Sequence, residues 1–123
     1  IAGFKGHIHF HCAPCMDDYL EALKSSKNNT NEVMDEICNY IDHQIHLYYR
    51  LYPGNYIALD ELRGTHDFTD QYSDHQKEVF DAYLHRRLSK IDIPNKDEAF
   101  LRERLLTMYA NPAINYRKAH GLE

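Results

Sequence analysis

Val33, Met34, Ile37, Ile41, Ile45, Tyr48 and Tyr52 recur at steps of three and four residues. That spacing places them on one side of a 3.6-residue helix. Asp35, Glu36, Asn39, Asp42, His43 and Arg50 fall mostly on the other side. Thr30 or Asn31 is placed to cap the start, and Glu32, Asp35 and Glu36 suit the positive end of the helix dipole. Pro53-Gly54 predicts the stop, because proline cannot continue the ladder and glycine accepts a left-handed backbone. A long amphipathic helix is therefore the element around which the rest of the chain must fold.

The remaining segments are mostly helical by the same criterion. After residues 17–23, which read as a short helix with Tyr19, Leu20 and Leu23, a polar loop covers residues 25–29. Residues 56–62 predict one or two turns that hold Tyr56, Ile57, Leu59 and Leu62 against a core. A second strong helix over residues 72–89 has Val79, Phe80, Tyr83, Leu84 and Leu88 as its apolar side. A third is capped by Asn95 with Glu98 placed for a capping box, has Phe100, Leu101, Leu105, Met108 and Tyr109 inward, and ends at Asn111-Pro112. The exception is GHIHFHC, residues 6–12, where Ile8, Phe10 and Cys12 alternate with His7, His9 and His11 as in a half-buried strand. A lone strand leaves both edges unpaired, so this one predicts a partner. The partner is a second copy across a dimer, a strand not evident in the pattern, or polypeptide of a larger parent protein. The expected class is mainly α, a bundle of about four helices with one N-terminal β-strand.

With 123 residues and 43% hydrophobic content, the chain is one domain's worth, enough to bury roughly two-thirds of its unfolded surface. A net charge of -5 argues against general nucleic-acid binding, which needs a basic field to neutralise phosphates. Three cysteines, an odd and low count, argue against a disulfide framework and for a reducing, cytoplasmic compartment. The opening on Ile1 predicts a piece of a larger protein. Residues 1–121 are then a single C-terminal domain or fragment, and Leu122-Glu123 after Gly121 has the look of a tag remnant.

Four constellations invite chemistry. His9, His11, Cys12 and Cys15, with His7, His43 and His46 nearby in sequence, offer metal-ligand types, but one Cys-x-x-Cys without an answering pair falls short of a structural zinc pattern. A polar strand face rich in imidazole accounts for them, so no metal or other cofactor is expected. Cys12-Ala13-Pro14-Cys15 between a strand and a helix has the layout of a redox dithiol, yet the later strands of a thioredoxin sheet are missing. Asp17-Asp18, Asp35-Glu36 and Asp60-Glu61 are paired acids that helix starts or solvated faces explain. Ten tyrosines include Tyr48, Tyr49, Tyr52 and Tyr56 bunched at the helix end. They read by default as core rings with their hydroxyls in water, and more sharply as an aromatic shelf for a lipid or partner.

Two stretches, GHIHFHCAPCM and IDHQIHLYYRLYPGNYIALDEL, together resemble the C-terminal part of a bacterial branch of the lysophospholipid (glycerolipid) acyltransferase family. Its members carry a late strand of form Gly-x-Ile-x-Val-x-Phe-Gly-x-Pro before a helix, and in some that helix leads into an Asn-Tyr-Ile-Ala segment. The match covers residues 6–16 and 41–62, roughly a quarter of the chain, with Cys12-Ala13 where Phe-Gly is usual. The resemblance implies a parent enzyme at the cytoplasmic face of the inner membrane that takes fatty acyl groups from acyl-CoA or acyl carrier protein. Its activity depends on a His-x-x-x-x-Asp motif, in which histidine is the base and aspartate orients it. None of the nine histidines here has an aspartate five positions on, so no residue of this chain inherits a catalytic role. The implied work of residues 5–12 is to complete the parent's sheet.

Overall fold

The computed structural model describes residues 6–25 and 29–122. The described residues form five α-helices and one short 3-10 turn: α1 (Asp17–Lys24), α2 (Thr30–Tyr48), α3 (Pro53–Arg63), the turn Thr69–Gln71, α4 (Asp74–Ser89) and α5 (Glu98–Ala119). The protein is thus mainly helical, with one helix more than the periodicity predicts. None of these helices is long and apolar enough to cross a membrane. The chain divides into two compact units, Ile1–Arg50 and Leu51–Glu123. Lys5 of the expected strand, most of the expected 25–29 loop and Glu123 of the expected remnant lie outside the described residues.

The second unit holds nearly all of the core. Ile57, Ala58 and Leu59 of α3, Phe80 and Leu84 of α4, and Leu106, Ala110 and Ala113 of α5 are buried together. Each helix brings its residues by its own period: 80, 84 and 88 on α4, and 106, 110 and 113 on α5. The expected inward face of α5 is rotated, since Phe100 and Met108 are exposed. Two alanines let α5 approach α3 closely, and small side chains carry little weight in an apolar pattern. Val79 of α4 is likewise outward.

Prolines act here against their usual sense. Pro53 opens α3 instead of merely closing α2, because its fixed φ suits the first helical position, where an N–H has no partner anyway. Asn55 accepts from the Tyr52 N–H at 2.8 Å and donates to the Tyr109 carbonyl at 2.9 Å, fastening this start to α5. Residues 53–63 therefore make three turns instead of one or two, and α2 stops at Tyr48, short of the expected Tyr52. Pro112 lies inside α5; the core contacts of Ala110 and Ala113 on either side carry the helix through the lost hydrogen bond. The caps also move: Asn29 caps α2 in a box with Glu32, Ser73 caps α4, and Asp97, not Asn95, caps α5. Gly64 ends α3 in the left-handed region at φ 65°.

Asp60, expected on a solvated face, is 2% exposed. Its carboxylate accepts from the Thr65 hydroxyl (3.0 Å), the backbone N–H groups of Asp67 (2.9 Å) and Phe68 (3.1 Å), and the Tyr72 hydroxyl (2.8 Å). One side chain thereby folds residues 65–72 back over α3. Burial and the Asp60 carboxylate push the Tyr72 phenol up to about 12.

In the first unit no residue of α2 is buried. Tyr19 of α1 stacks on Tyr40 of α2 with ring centroids 4.2 Å apart, and its hydroxyl donates to the Glu36 carbonyl at 3.3 Å. The strand expected over residues 5–12 is not formed among the described residues, where residues 6–15 carry no regular structure. The reason is the one its isolation foretells, since the described residues include no second strand to satisfy its ladder.

Candidate functional site

The first unit contains an apolar groove of about 330 Å³, at the small end of the range for ligand pockets. One wall is α2, whose Tyr40, Ile41, Gln44, Ile45 and Tyr48 share a helical face, with Tyr49 just beyond. The other wall is the irregular run before α1, contributing His9, His11, Ala13, Pro14 and Met16. His9, His11 and Ala13, every second residue of the run, line the groove together, and Pro14 joins them. The His11 ring stacks on Tyr48, centroids 4.1 Å apart and planes 15° from parallel.

That placement reverses the expected faces of the segment. His9 and His11 turn toward the helix, while Ile8 and Phe10 point outward at 66% and 88% exposure. Among the described residues, the backbone of residues 8–15 makes no hydrogen bond with other backbone groups. The α2 side is also only partly covered, with Met34, Ile41, Ile45 and Tyr48 exposed.

The groove's polar equipment is small. Burial pushes the Tyr49 phenol up. The Gln44 carbonyl oxygen is shut off from solvent without a hydrogen-bond donor among the described residues. Neither His9 nor His11 is held by a carboxylate there, so the base-and-orienter arrangement of an acid–base site is not assembled. Among the described residues no three His, Cys, Asp or Glu side chains converge as a metal site. Cys12 and Cys15 are exposed thiols, as is Cys38 on α2.

The four bunched tyrosines divide between the units. Tyr48 and Tyr49 line the groove. Tyr52 caps α3, and Tyr56 packs on Phe68 with centroids 5.6 Å apart; burial raises its phenol. The second unit adds two polar clusters of its own. Arg102 of α5 reaches Glu61 at 2.7 Å and Asp81 at 2.8 Å, tying all three helices. Burial, then the Asp81 charge, raises the Glu61 carboxyl against the opposing pull of Arg102. Tyr83 and Tyr109 share a hydrogen bond of 2.6 Å, and Arg87 donates to Tyr83 at 2.9 Å. The pair splits: Tyr109 rises to about 12 by burial, and Tyr83 is lowered by its bond to Tyr109. These clusters join helices.

Gln44 and Asp60 were not foreseen as special. No residue pattern marks Gln44, whose side-chain oxygen is isolated only once the chain has folded. Asp60 could be suspected only from the Thr65 to Tyr72 donors that follow it within one short loop. A scan against models of protein families, a search of curated proteins and a search of solved structures each returned no match.

Proposed function

We propose that this chain is the non-catalytic C-terminal portion of a glycerolipid acyltransferase, in which residues 8–12 add a strand to a sheet supplied by the rest of the parent. The observation that carries the reading is the state of that segment. Its outward side chains are Ile8 and Phe10, its backbone is unpaired among the described residues, and its His9 and His11, themselves exposed, line a groove beside α2. An unpaired segment with one side set toward a helix and apolar side chains on the other is what a strand of an α/β layer would offer before its neighbours arrive. The sequence resemblance supplies the kind of parent: an enzyme of the cytoplasmic membrane face that moves a fatty acyl group from acyl-CoA or acyl carrier protein to a lysophospholipid or glycerol phosphate. Its base and orienting aspartate belong to the upstream part, and this chain contributes structure.

Two measurements test this. A radiolabelled acyl-transfer assay on the chain alone reads blank; turnover above the no-protein control overturns the proposal. Added to the upstream part of the same gene product, the chain binds saturably, and Phe10→Asp weakens binding at least about tenfold by placing a charge in an apolar layer. Equal binding by wild type and variant also overturns it.

A second reading draws on the groove: a stand-alone domain that takes a lipid or partner chain against Ile41, Ile45 and Tyr48. Saturable binding of lysophospholipid by this chain alone, lost in Ile45→Asp, would favour it.

A further inference from the structure

Cys12 and Cys15 are the two thiols of the extended segment, both exposed, with Ala13 and Pro14 between them. The chain makes no turn across residues 12–15. Three residue steps that do not fold back span up to about 10 Å between their end Cα atoms. A disulfide requires Cα atoms within about 7 Å. The reduced segment is therefore the wrong shape for the bond, and forming the bond must bend it.

Little opposes the bend. Residues 12–15 hold no backbone hydrogen bond to other backbone among the described residues. The segment is held just outside them: Met16 accepts from the Leu20 N–H at 2.9 Å at the start of α1, and His11 stacks on Tyr48. Drawing the two Cα atoms together shortens the path between these anchors. The helix cap is built into α1, whereas the imidazole–phenol stack is a single exposed contact, so the stack is the anchor that gives way.

We propose that Cys12 and Cys15 form a reversible dithiol–disulfide switch that sets the course of residues 8–15. The oxidant is a small-molecule disulfide. One protein thiolate attacks it, forming a mixed disulfide and expelling one small thiolate. The second protein thiol loses its proton and attacks the protein-side sulfur, expelling the second. Two S–H bonds are lost, one intrachain S–S bond forms, and the small disulfide leaves reduced as two thiols. A two-residue gap gives the second thiol an effective concentration of order mM or more, favouring ring closure over a lasting mixed adduct. The course without a turn at residues 12–15 belongs to the dithiol and the bent course to the disulfide. This chemistry stands apart from the acyltransferase reading; only its consequence for docking rests on that reading.

The test uses the whole chain in a Cys38→Ser background, equilibrated with reduced and oxidised glutathione at about 0.1 mM each, a tenth of an effective concentration of order mM. Intact mass and peptide mapping are expected to show two hydrogens lost within the peptide containing residues 12–15, exceeding glutathione adducts by about tenfold. The change reverses with dithiothreitol and is absent in Cys12→Ser and Cys15→Ser. The His11 ring resonances are expected to lose the Tyr48 ring-current shift on oxidation. Persistent glutathione adducts on either cysteine, bonds between chains, or an intrachain bond that leaves the His11 signals unmoved would each overturn the switch. Should the switch appear while the upstream part fails to bind either form, the docking reading alone falls.

Discussion

Replacing Asp60 with asparagine tests how far one buried carboxylate determines the second unit. The carboxylate accepts four hydrogen bonds at 2.8–3.1 Å from residues 65–72. Asparagine keeps one acceptor oxygen and puts an NH2 group in place of the other. If the NH2 replaces Oδ2, the Tyr72 hydroxyl can rotate to accept, but the Phe68 N–H cannot. If it replaces Oδ1, Thr65 can adjust and the Asp67 N–H cannot. Either way one backbone N–H is orphaned, at about 1–3 kcal/mol, and the surviving bonds lose the roughly 1 kcal/mol that a charged acceptor adds. The sum is about 3 kcal/mol. For a unit of this size each kcal/mol lowers Tm by about 4–8 °C, so the loss is about 12–24 °C by circular dichroism or calorimetry. Asp92→Asn, an exposed aspartate in the connector before α5, should stay within about 0.5 kcal/mol of wild type. An Asp60→Asn protein that melts with wild type would refute the claim that this carboxylate holds residues 65–72 on α3.

Glu61 binds its proton more tightly folded than unfolded, because burial and Asp81 raise it above its ordinary 4.5. Its contribution is therefore fully present below about 4.5 and is lost as pH rises through the raised folded value; Glu61→Gln should flatten that part of the stability profile measured by denaturant melts. Tyr72 and Tyr109 are both raised from 10 to about 12, so stability should fall as pH climbs from 10 to 12, less steeply in Tyr72→Phe. Gly64→Ala should cost about 1 kcal/mol from backbone strain alone, since φ is 65° and no atom lies within 4 Å of an added Cβ; a neutral result would mean the helix end relaxes.

The second unit was largely legible from the sequence. Phe80, Leu84 and Leu88 announce the buried side of α4 by spacing, and Ile57, Leu59 and Leu62 announce α3. What spacing could not convey is close approach: Ala110 and Ala113 set the face of α5, and small residues leave a weak apolar signal. Pro53 and Pro112 were read as stops because the local rule is strong, yet position within the first turn and packing on both flanks outweighed it. The first unit was legible in kind and not in arrangement. The alternation of residues 6–12 reads as a strand and none forms among the described residues, because a strand is a pairing, and alternation does not specify the partner. The faces also differ from the expected ones, with His11 stacked on Tyr48 while Ile8 and Phe10 are outward. For the candidate site, the tyrosine cluster pointed to Tyr48 and Tyr49 but not to Gln44, whose significance arises only from what covers it.

Amide hydrogen exchange of residues 8–12, with and without the upstream part of the same gene product, tests most directly whether this segment awaits a sheet. Strand pairing predicts that alternate amides slow by at least about a hundredfold on mixing, the outward-facing pattern following one edge of the strand. Exchange that stays at the rate of open chain at saturating partner would contradict the account.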